Sequence, residues 1–400
     1  MFYNSQSKNY LNCYKKIKNC TIYSSIDEID EKVWQSLNCD QNYYYHKDFL
    51  KSIENNHSEI RFFYIVLFDE NETPKAFASL QVIDFYLDTI QNDLELLIRK
   101  IKNIGRKLHV LPKKKPLQLL ICGNTFVSGE HGLFIKNKYD KKKTIKEMAK
   151  AILSFTNNEK KLKIDAFLLK DFQDESLFIS DELKAYNYNP FSVEPNMVMS
   201  VNEKWKNFDD YLAAMKTKFR VKAKKALQLS NSLRIENITD ENIENQLPNM
   251  KELYEKVAIK ASFNLSFFNL NTYKDLKKKF GENYVLKTFW LNDKIVGFMS
   301  GIINNNSLDA HFVGLDYAYN RSHAVYQKML YDYVEIAISR ELNTINFGRT
   351  ASEIKSSVGA TPQNLTMYLR HKKSITNKIL KLFLQRIQPT PFQQKFPFKK

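Results

Sequence analysis

The chain has 400 residues, 43% of them hydrophobic and 13% aromatic, more than one hydrophobic core usually organises, so two globular halves are expected. No stretch approaches the roughly 18 uninterrupted apolar residues of a membrane span, and MFYNSQSKNY lacks the apolar region of a secretory signal. The expectation is therefore a cytoplasmic protein. Cys13, Cys20, Cys39 and Cys122 show neither CxxC spacing nor nearby histidines, which argues against a metal site and against a disulfide framework.

The net charge of +17 is unevenly placed. Basic residues cluster from Arg99 to Lys115, at Lys216, Lys218, Arg220, Lys222, Lys224 and Lys225, and from Arg370 to Lys400, a segment without a single acidic residue. Such clusters attract phosphate-rich or acidic partners: tRNA, acyl carrier protein, coenzyme A, or an anionic membrane surface at its inner face. No DNA recognition is expected. A solvated basic face without a partner is the alternative reading.

In chain order, RFFYIVLF from Arg61, the turn residues DENETP, and KAFASLQVIDFYL form a hairpin. A basic helical insertion follows, then the apolar strand LQLLIC at 117–122. Ile145, Met148, Ala149, Ile152 and Leu153 mark one face of a helix from about Lys142 to Phe155. Strand KIDAFLL, a short helix near Glu175 to Ala185, and strand NMVMSV complete the first half. Between the halves, Phe208, Leu212, Met215, Phe219 and Ala226 predict one amphipathic helix over Lys206 to Ser230, its other face carrying the six-cation cluster. Further helices are expected at Glu241 to Lys260, interrupted by Pro248, and at Thr272 to Phe280.

The second half repeats the order of the first. YVLKTFWL and KIVGFMSGII flank the Asn292-Asp293 turn, SLDAHFVGL follows Asn304-Asn305-Asn306, and a helix is predicted from His323 to Arg340. TINFG, the short helix ASEIKSS and strand NLTMYLRH close the series. The fold class is α+β, with mainly antiparallel sheets flanked by helices. The domain reading is 1–203, 204–375 and a basic tail, 376–400.

The segments VGFMSG, LDYAYNRSHAVYQKMLYDYVEIA and NFGRTASEIKSSVGATP, with the basic helix before them, resemble the predicted N-acyltransferase branch of the GNAT superfamily. That branch is similar to the Fem-type peptidoglycan aminoacyltransferases, which carry two GNAT domains in one chain. The likeness spans residues 205 to 371, with 345 to 362 its most specific part; the stretch CGNTFVSGEHG carries it more weakly into the first half. It implies two tandem GNAT-like domains and an N-acyltransferase that moves an acyl or aminoacyl group to an amine by direct transfer, with no tightly bound cofactor. Acyl-CoA, acyl carrier protein or aminoacyl-tRNA would be the donor. A GNAT-fold module that binds tRNA, carrier protein or anionic lipid without turnover is the competing reading.

An acyl donor needs a strand edge and free amides at a helix N-terminus. Val313, Gly314 and Leu315 end a strand, and Asn320, Arg321, Ser322, His323 and Tyr326 surround the start of the following helix, which Asn320 or Ser322 can cap. This loop contains no glycine where the usual GNAT loop has them, which weighs against a tight pyrophosphate cradle, although Arg321 can hold a phosphate by its side chain. Asp309 and His311 share one strand face and are the preferred base candidates. Glu353 is a second acid/base candidate, Arg349 a carboxylate or phosphate binder, Lys355 a substrate contact or a partner for Glu353, and Tyr317 a substrate contact. In the tail, Ile375, Ile379, Leu380, Phe383, Leu384 and Ile387 keep helical register with basic residues between; this helix either lies on an anionic membrane or packs on the domain and frays after Pro389.

Overall fold

The computed structural model describes residues 19–86, 116–159, 162–260 and 265–399. Cys13 and the basic insertion with its cluster from Arg99 to Lys115 lie outside the described residues. Cys20, Cys39 and Cys122 are free and buried.

Apolar runs bounded by turn residues become strands. The first half contains β1 (Cys20–Tyr23), β2 (Arg61–Phe68), β3 (Pro74–Phe85), β4 (Leu117–Cys122), β5 (Leu133–Ile135), β6 (Ala166–Gln173) and β7 (Asn189–Ser200). The second contains β8 (Leu233–Asn237), β9 (Tyr284–Leu291), β10 (Lys294–Asn304), β11 (Ser307–Leu315), β12 (Thr344–Asn346) and β13 (Thr361–His371). The turns at Asn292 and Asn305 adopt left-handed φ values of 52° and 53°, conformations asparagine tolerates well.

One continuous sheet joins the halves, in the order β1-β2-β3-β4-β6-β13-β7-β12-β11-β10-β9-β8, with β5 beside β3. Pairing is antiparallel except at β4–β6 and β11–β12. These two parallel pairs occupy equivalent places in the repeated order. The last strands are exchanged: β13, from the second half, lies between β6 and β7, and β7 pairs with β12. Neither half completes its sheet alone.

The helices are α1 (Glu31–Leu37), α2 (Lys47–Asn56), α3 (Lys141–Asn158), α4 (Leu177–Ser180), α5 (Phe208–Ala214), α6 (Thr217–Leu229), α7 (Ile243–Lys260), α8 (Thr272–Phe280), α9 (Tyr317–His323), α10 (Val325–Ser339), α11 (Ser352–Ser357) and α12 (Ser374–Leu384). Three expectations are corrected and one helix is added. The single helix over Lys206 to Ser230 is two, because the C-terminal segment pairs with the backbone at the break: Lys216 N donates to Pro397 O at 2.8 Å and Lys399 N to Ala214 O at 3.0 Å. The helix expected from His323 to Arg340 is present as α10, and a short helix not expected from the sequence, α9, precedes it across Ala324, which lies in the left-handed region at φ 47°. Pro248 does not interrupt α7, which runs through it. Finally, the chain does not fray after Pro389: Phe398 packs on Trp205 and Tyr211, and Lys395 N bonds to Ser356 Oγ at 3.0 Å.

Two apolar layers cover the sheet in the second half. Tyr254, Phe268, Tyr273 and Phe298 lie with α7 and α8 on one face; Val325, Met329, Tyr333 and Val334 of α10 lie on the other. Gly314 is required by this packing, since a Cβ there would sit 2.2 Å from the Phe298 ring. No helix among the described residues is long and apolar enough to cross a membrane.

Candidate active site

The site forms where two parallel strands part. β11 and β12 pair only from Ser307–Thr344 to Asp309–Asn346; β12 then ends while β11 continues to Leu315. The gap opens into a cavity of about 280 Å³. Its walls are Asp309 to Val313 of β11, Tyr254, Val257 and Ala258 of α7, Tyr326, Leu330 and Tyr333 of α10, and Asn346 to Thr350 with Lys355. Tyr44 and Phe126 to Ser128 close it from the first half.

The loop after β12 is held in sparsely populated backbone. Gly348, Thr350 and Ala351 have φ values of 70°, 65° and 50°. For β-branched Thr350 this conformation is unfavourable by about 1–3 kcal/mol, the kind of strain that surrounding structure maintains at functional sites. The loop turns α11 so that Lys355 points inward. The residue is 4% exposed, its Nζ donates to Arg349 O at 2.6 Å and to Gly348 O at 3.2 Å, and burial pushes its pKa down to about 7.

Arg349 crosses to the first half. Its Nε donates to Ser128 Oγ at 3.0 Å and its Nη2 pairs with Asp171. Asp171 is fully buried at φ 63° and also accepts from Lys170 Nζ at 2.8 Å and from Gly129 N at 3.1 Å. Burial alone would raise its carboxyl, but Lys170 and Arg349 hold it below the usual range, so it is ionised. Lys170 in turn donates to Asn124 O and Val127 O at 3.0 and 2.8 Å. The loop 122–132 is thus stitched to the loop after β12 through one buried carboxylate.

Asp309 and His311 both line the cavity, and both are occupied. Asp309 accepts from Tyr44 Oη at 2.9 Å and Ser307 Oγ at 3.0 Å, and burial raises its carboxyl. Burial pushes His311 down to about 4. Its Nε2 lies 3.0 Å from Phe126 O, a pure acceptor, so Nε2 carries the proton, while Nδ1 faces Tyr284 Oη at 3.4 Å. Neither nitrogen offers a free lone pair to a substrate. His311 is expected to stay neutral in the Nε2–H form between about pH 5 and 8, without titrating in histidine-selective NMR spectra; an ionisation inside that window would restore it as a base.

The structure separates the other expected residues. Glu353 leaves the cavity: its carboxylate is 58% exposed and pairs with Lys395 at 2.9 Å, not with Lys355. Val313 and Tyr326 line the cavity, while Leu315 is buried in the core beside α10. Asn320 Oδ1 accepts the Tyr326 amide at 3.0 Å, as a cap across the break, whereas Ser322 Oγ donates back to Tyr319 O at 3.2 Å. Arg321 and Ser322 are exposed and His323 half-buried. Tyr317 lies under Lys260, whose Nζ is 3.4 Å from its ring centre.

Tyr44, Ser128, Lys170 and Asp171 were not singled out from sequence. A signal existed for two of them: Lys170-Asp171 interrupts the apolar strand AFLLKDFQ, and adjacent opposite charges within a buried strand need partners.

A family model described as FemAB-like, peptidoglycan biosynthesis/recognition, matches residues 119–396. No curated protein sequence matches the chain significantly. Among solved structures, FemX superposes at a TM-score of 0.54 with 10% identity, covering 88% of this chain and 99% of FemX. A tandem GNAT protein from the clavulanic acid biosynthesis pathway superposes at 0.50 with 8% identity, covering 88% of this chain and 98% of that one. The parted strands, the exchanged last strands and the matched family model lead to one conclusion: the chain belongs to the FemAB-like family, has the tandem GNAT fold and is an acyltransferase.

Proposed function

We propose that the chain transfers an aminoacyl group from aminoacyl-tRNA to an amine inside the cavity between β11 and β12, in two GNAT-like units read as 1–203 and 204–375 with a C-terminal segment, 376–400. The observation that carries this reading is Lys355, a buried amine with its pKa near neutrality at the point where the strands part. Two of its donors are directed at carbonyls, leaving a third for a reacting group. The attacking amine forms the new C–N bond, the ammonium of Lys355 stabilises the developing oxyanion, and the C–O bond to the donor ribose breaks. Lys355 passes its proton to the leaving oxygen and recovers one from the attacking nitrogen. The Ser128 hydroxyl is held between Asn196 and Arg349, and among the described residues no cysteine lines the cavity, which supports direct attack. Arg349, anchored on two sides, is the proposed contact for an acceptor carboxylate or phosphate.

Two features favour the tRNA donor over coenzyme A. The first-turn amide of Tyr326 is already taken by Asn320, in a loop without glycine. Beside that loop, α6 packs against α9 and α10 and leaves Lys216, Lys218, Lys222, Lys224 and Lys225 exposed. In the first half the equivalent helix, α3, is capped by the Asp140 carboxylate, which bonds Lys143 N at 3.0 Å and would repel a phosphate.

Neutralising Lys222, Lys224 and Lys225 together is expected to weaken tRNA binding and to flatten its salt dependence by about 2–3 in the log–log slope, one phosphate contact contributing roughly 0.7–0.9. Filter binding across a salt series measures this. Turnover of acyl-CoA with no tRNA binding would reject the donor assignment while leaving the acyl-transfer site standing.

A further inference from the structure

Helix α12 carries aliphatic side chains on both of its faces. Its buried positions are Thr376, Asn377 and Leu384. Asn377 Oδ1 accepts the His371 amide at 2.8 Å and Asn189 Nδ2 at 3.2 Å, and its Nδ2 donates to Asn187 O at 2.8 Å. The outward stripe, with spacings of three and four, is Ile375, Lys378, Ile379 and Leu382. Ile375 is 73% exposed and Leu382 62% exposed, while Ile379 is half-buried at the edge. Leu380 and Phe383 are half-buried and Leu384 is buried on the inner face, so packing on the domain does not use the outward aliphatic side chains, which a helix that only covered the sheet would replace with polar ones. Lys372, Lys373, Lys381 and Arg386 flank the stripe, and residues 370–400 contain no acidic side chain. Acids that touch this region lie away from the stripe: Glu194 accepts the Thr390 amide at 2.8 Å, Glu353 pairs with Lys395 at 2.9 Å, and Asp165, whose carbonyl bonds the Lys372 amide, accepts from the Gln118 amide at 3.0 Å.

We propose that α12 is a membrane-docking element that lies flat on an anionic lipid surface, with Ile375, Ile379 and Leu382 below the headgroups and the surrounding cations on the phosphates. The pairing of aliphatic side chains with cations selects this occupant. An RNA would satisfy the cations and leave Ile375 and Leu382 in water, and a second copy of α12 would set one cationic stripe against another. A basic, apolar-faced helix on a negatively charged bilayer satisfies both features together. The inference is independent of the acyl donor.

Co-sedimentation of the full chain with phosphatidylcholine vesicles containing about 30% phosphatidylglycerol tests the proposal, with pure phosphatidylcholine as the comparison. The protein is expected to bind the anionic vesicles at least ~10-fold more strongly. The double substitution Ile375→Ser/Leu382→Ser, at exposed positions that leave the core intact, should weaken binding at least ~10-fold with an unchanged melting temperature. Lys378→Glu/Lys381→Glu should also weaken it and flatten its salt dependence. Three results would overturn the assignment: no binding of the wild-type chain to anionic vesicles; binding that survives Ile375→Ser/Leu382→Ser but disappears when Lys222, Lys224 and Lys225 are neutralised; or a concentration-dependent dimer that Ile375→Ser/Leu382→Ser abolishes.

Discussion

Lys355→Met is expected to lower the rate of acyl transfer by about 10²–10³-fold and, at the same time, to make the protein more stable at pH 6. The first effect follows from removing the cavity cation proposed to meet the developing oxyanion. The second follows from burial. The lysine pKa falls from 10.5 to about 7 on folding, so below pH 7 the residue is charged in both states and the full desolvation penalty opposes folding. Between pH 7 and 10.5 the folded chain has released this proton and the unfolded chain still holds it, so stability rises with pH. The difference, 10.5 − 7, corresponds to an upper limit of about 5 kcal/mol. Methionine leaves the carbonyls of Gly348 and Arg349 without this donor, which offsets about 1–3 kcal/mol for each if neither finds water. The net expectation is a gain of up to about 3 kcal/mol at pH 6 that shrinks by pH 10. Urea unfolding of both proteins at the two pH values measures it. A variant that keeps its transfer rate would remove Lys355 from the mechanism; one equally destabilised at both pH values would mean that the ammonium is not penalised by its site.

Asp171→Ala is the second large effect. It strips the counter-charge from Lys170, which is 4% exposed and surrounded by carbonyls, and releases Arg349 from its anchor. Breaking a buried pair on one side costs about 3–5 kcal/mol, because the remaining charge stays uncompensated. The unfolding midpoint should drop accordingly, and transfer should fall in the protein that remains folded, since Arg349 loses the group that aims it. Asp171→Asn separates these roles: asparagine tolerates the left-handed backbone and can keep the Gly129 amide bond, but not the charge. It should retain more stability than Asp171→Ala and still lose activity. In a double-mutant cycle, Asp171→Ala and Arg349→Ala should be strongly non-additive. Additive effects would show that the two side chains act separately.

The repeated order of strands and helices was legible because it rests on local regularities. β-branched and aromatic runs, asparagine turns and a 3.6-residue apolar period each act within a few residues, and β2–β3, β9–β10 and α8 appear where those signals stand. The break at Met215 and the end of α9 at Ala324 were not legible. The first is made by the C-terminal segment 180 residues away, whose Phe396 carbonyl holds Lys216 Nζ, and the second by a left-handed alanine that no turn residue announces. The candidate site divided along the same line. Asp309, His311, Arg349 and Lys355 were found because charged residues at the end of a strand in this fold lie near the strand gap. Their roles were not found, because Tyr44, Phe126 and Asp171, which decide those roles, come from the other half of the chain.

Glu353 and Lys355 show the limit most directly. Residues two apart on a helix point about 200° apart, so one had to face the cavity and the other solvent, and the sequence treats the two alternatives alike. By itself the sequence determined the elements of the repeated order, the family to which they belong and the basic faces. Only the tertiary structure decided that β13 would lie between β6 and β7, that Lys355 would turn inward while Glu353 met Lys395, and that α12 would bury asparagine and expose isoleucine. Those outcomes depend on which surfaces remain unpaired once distant strands have met, a free energy shared across the whole sheet that no local window contains.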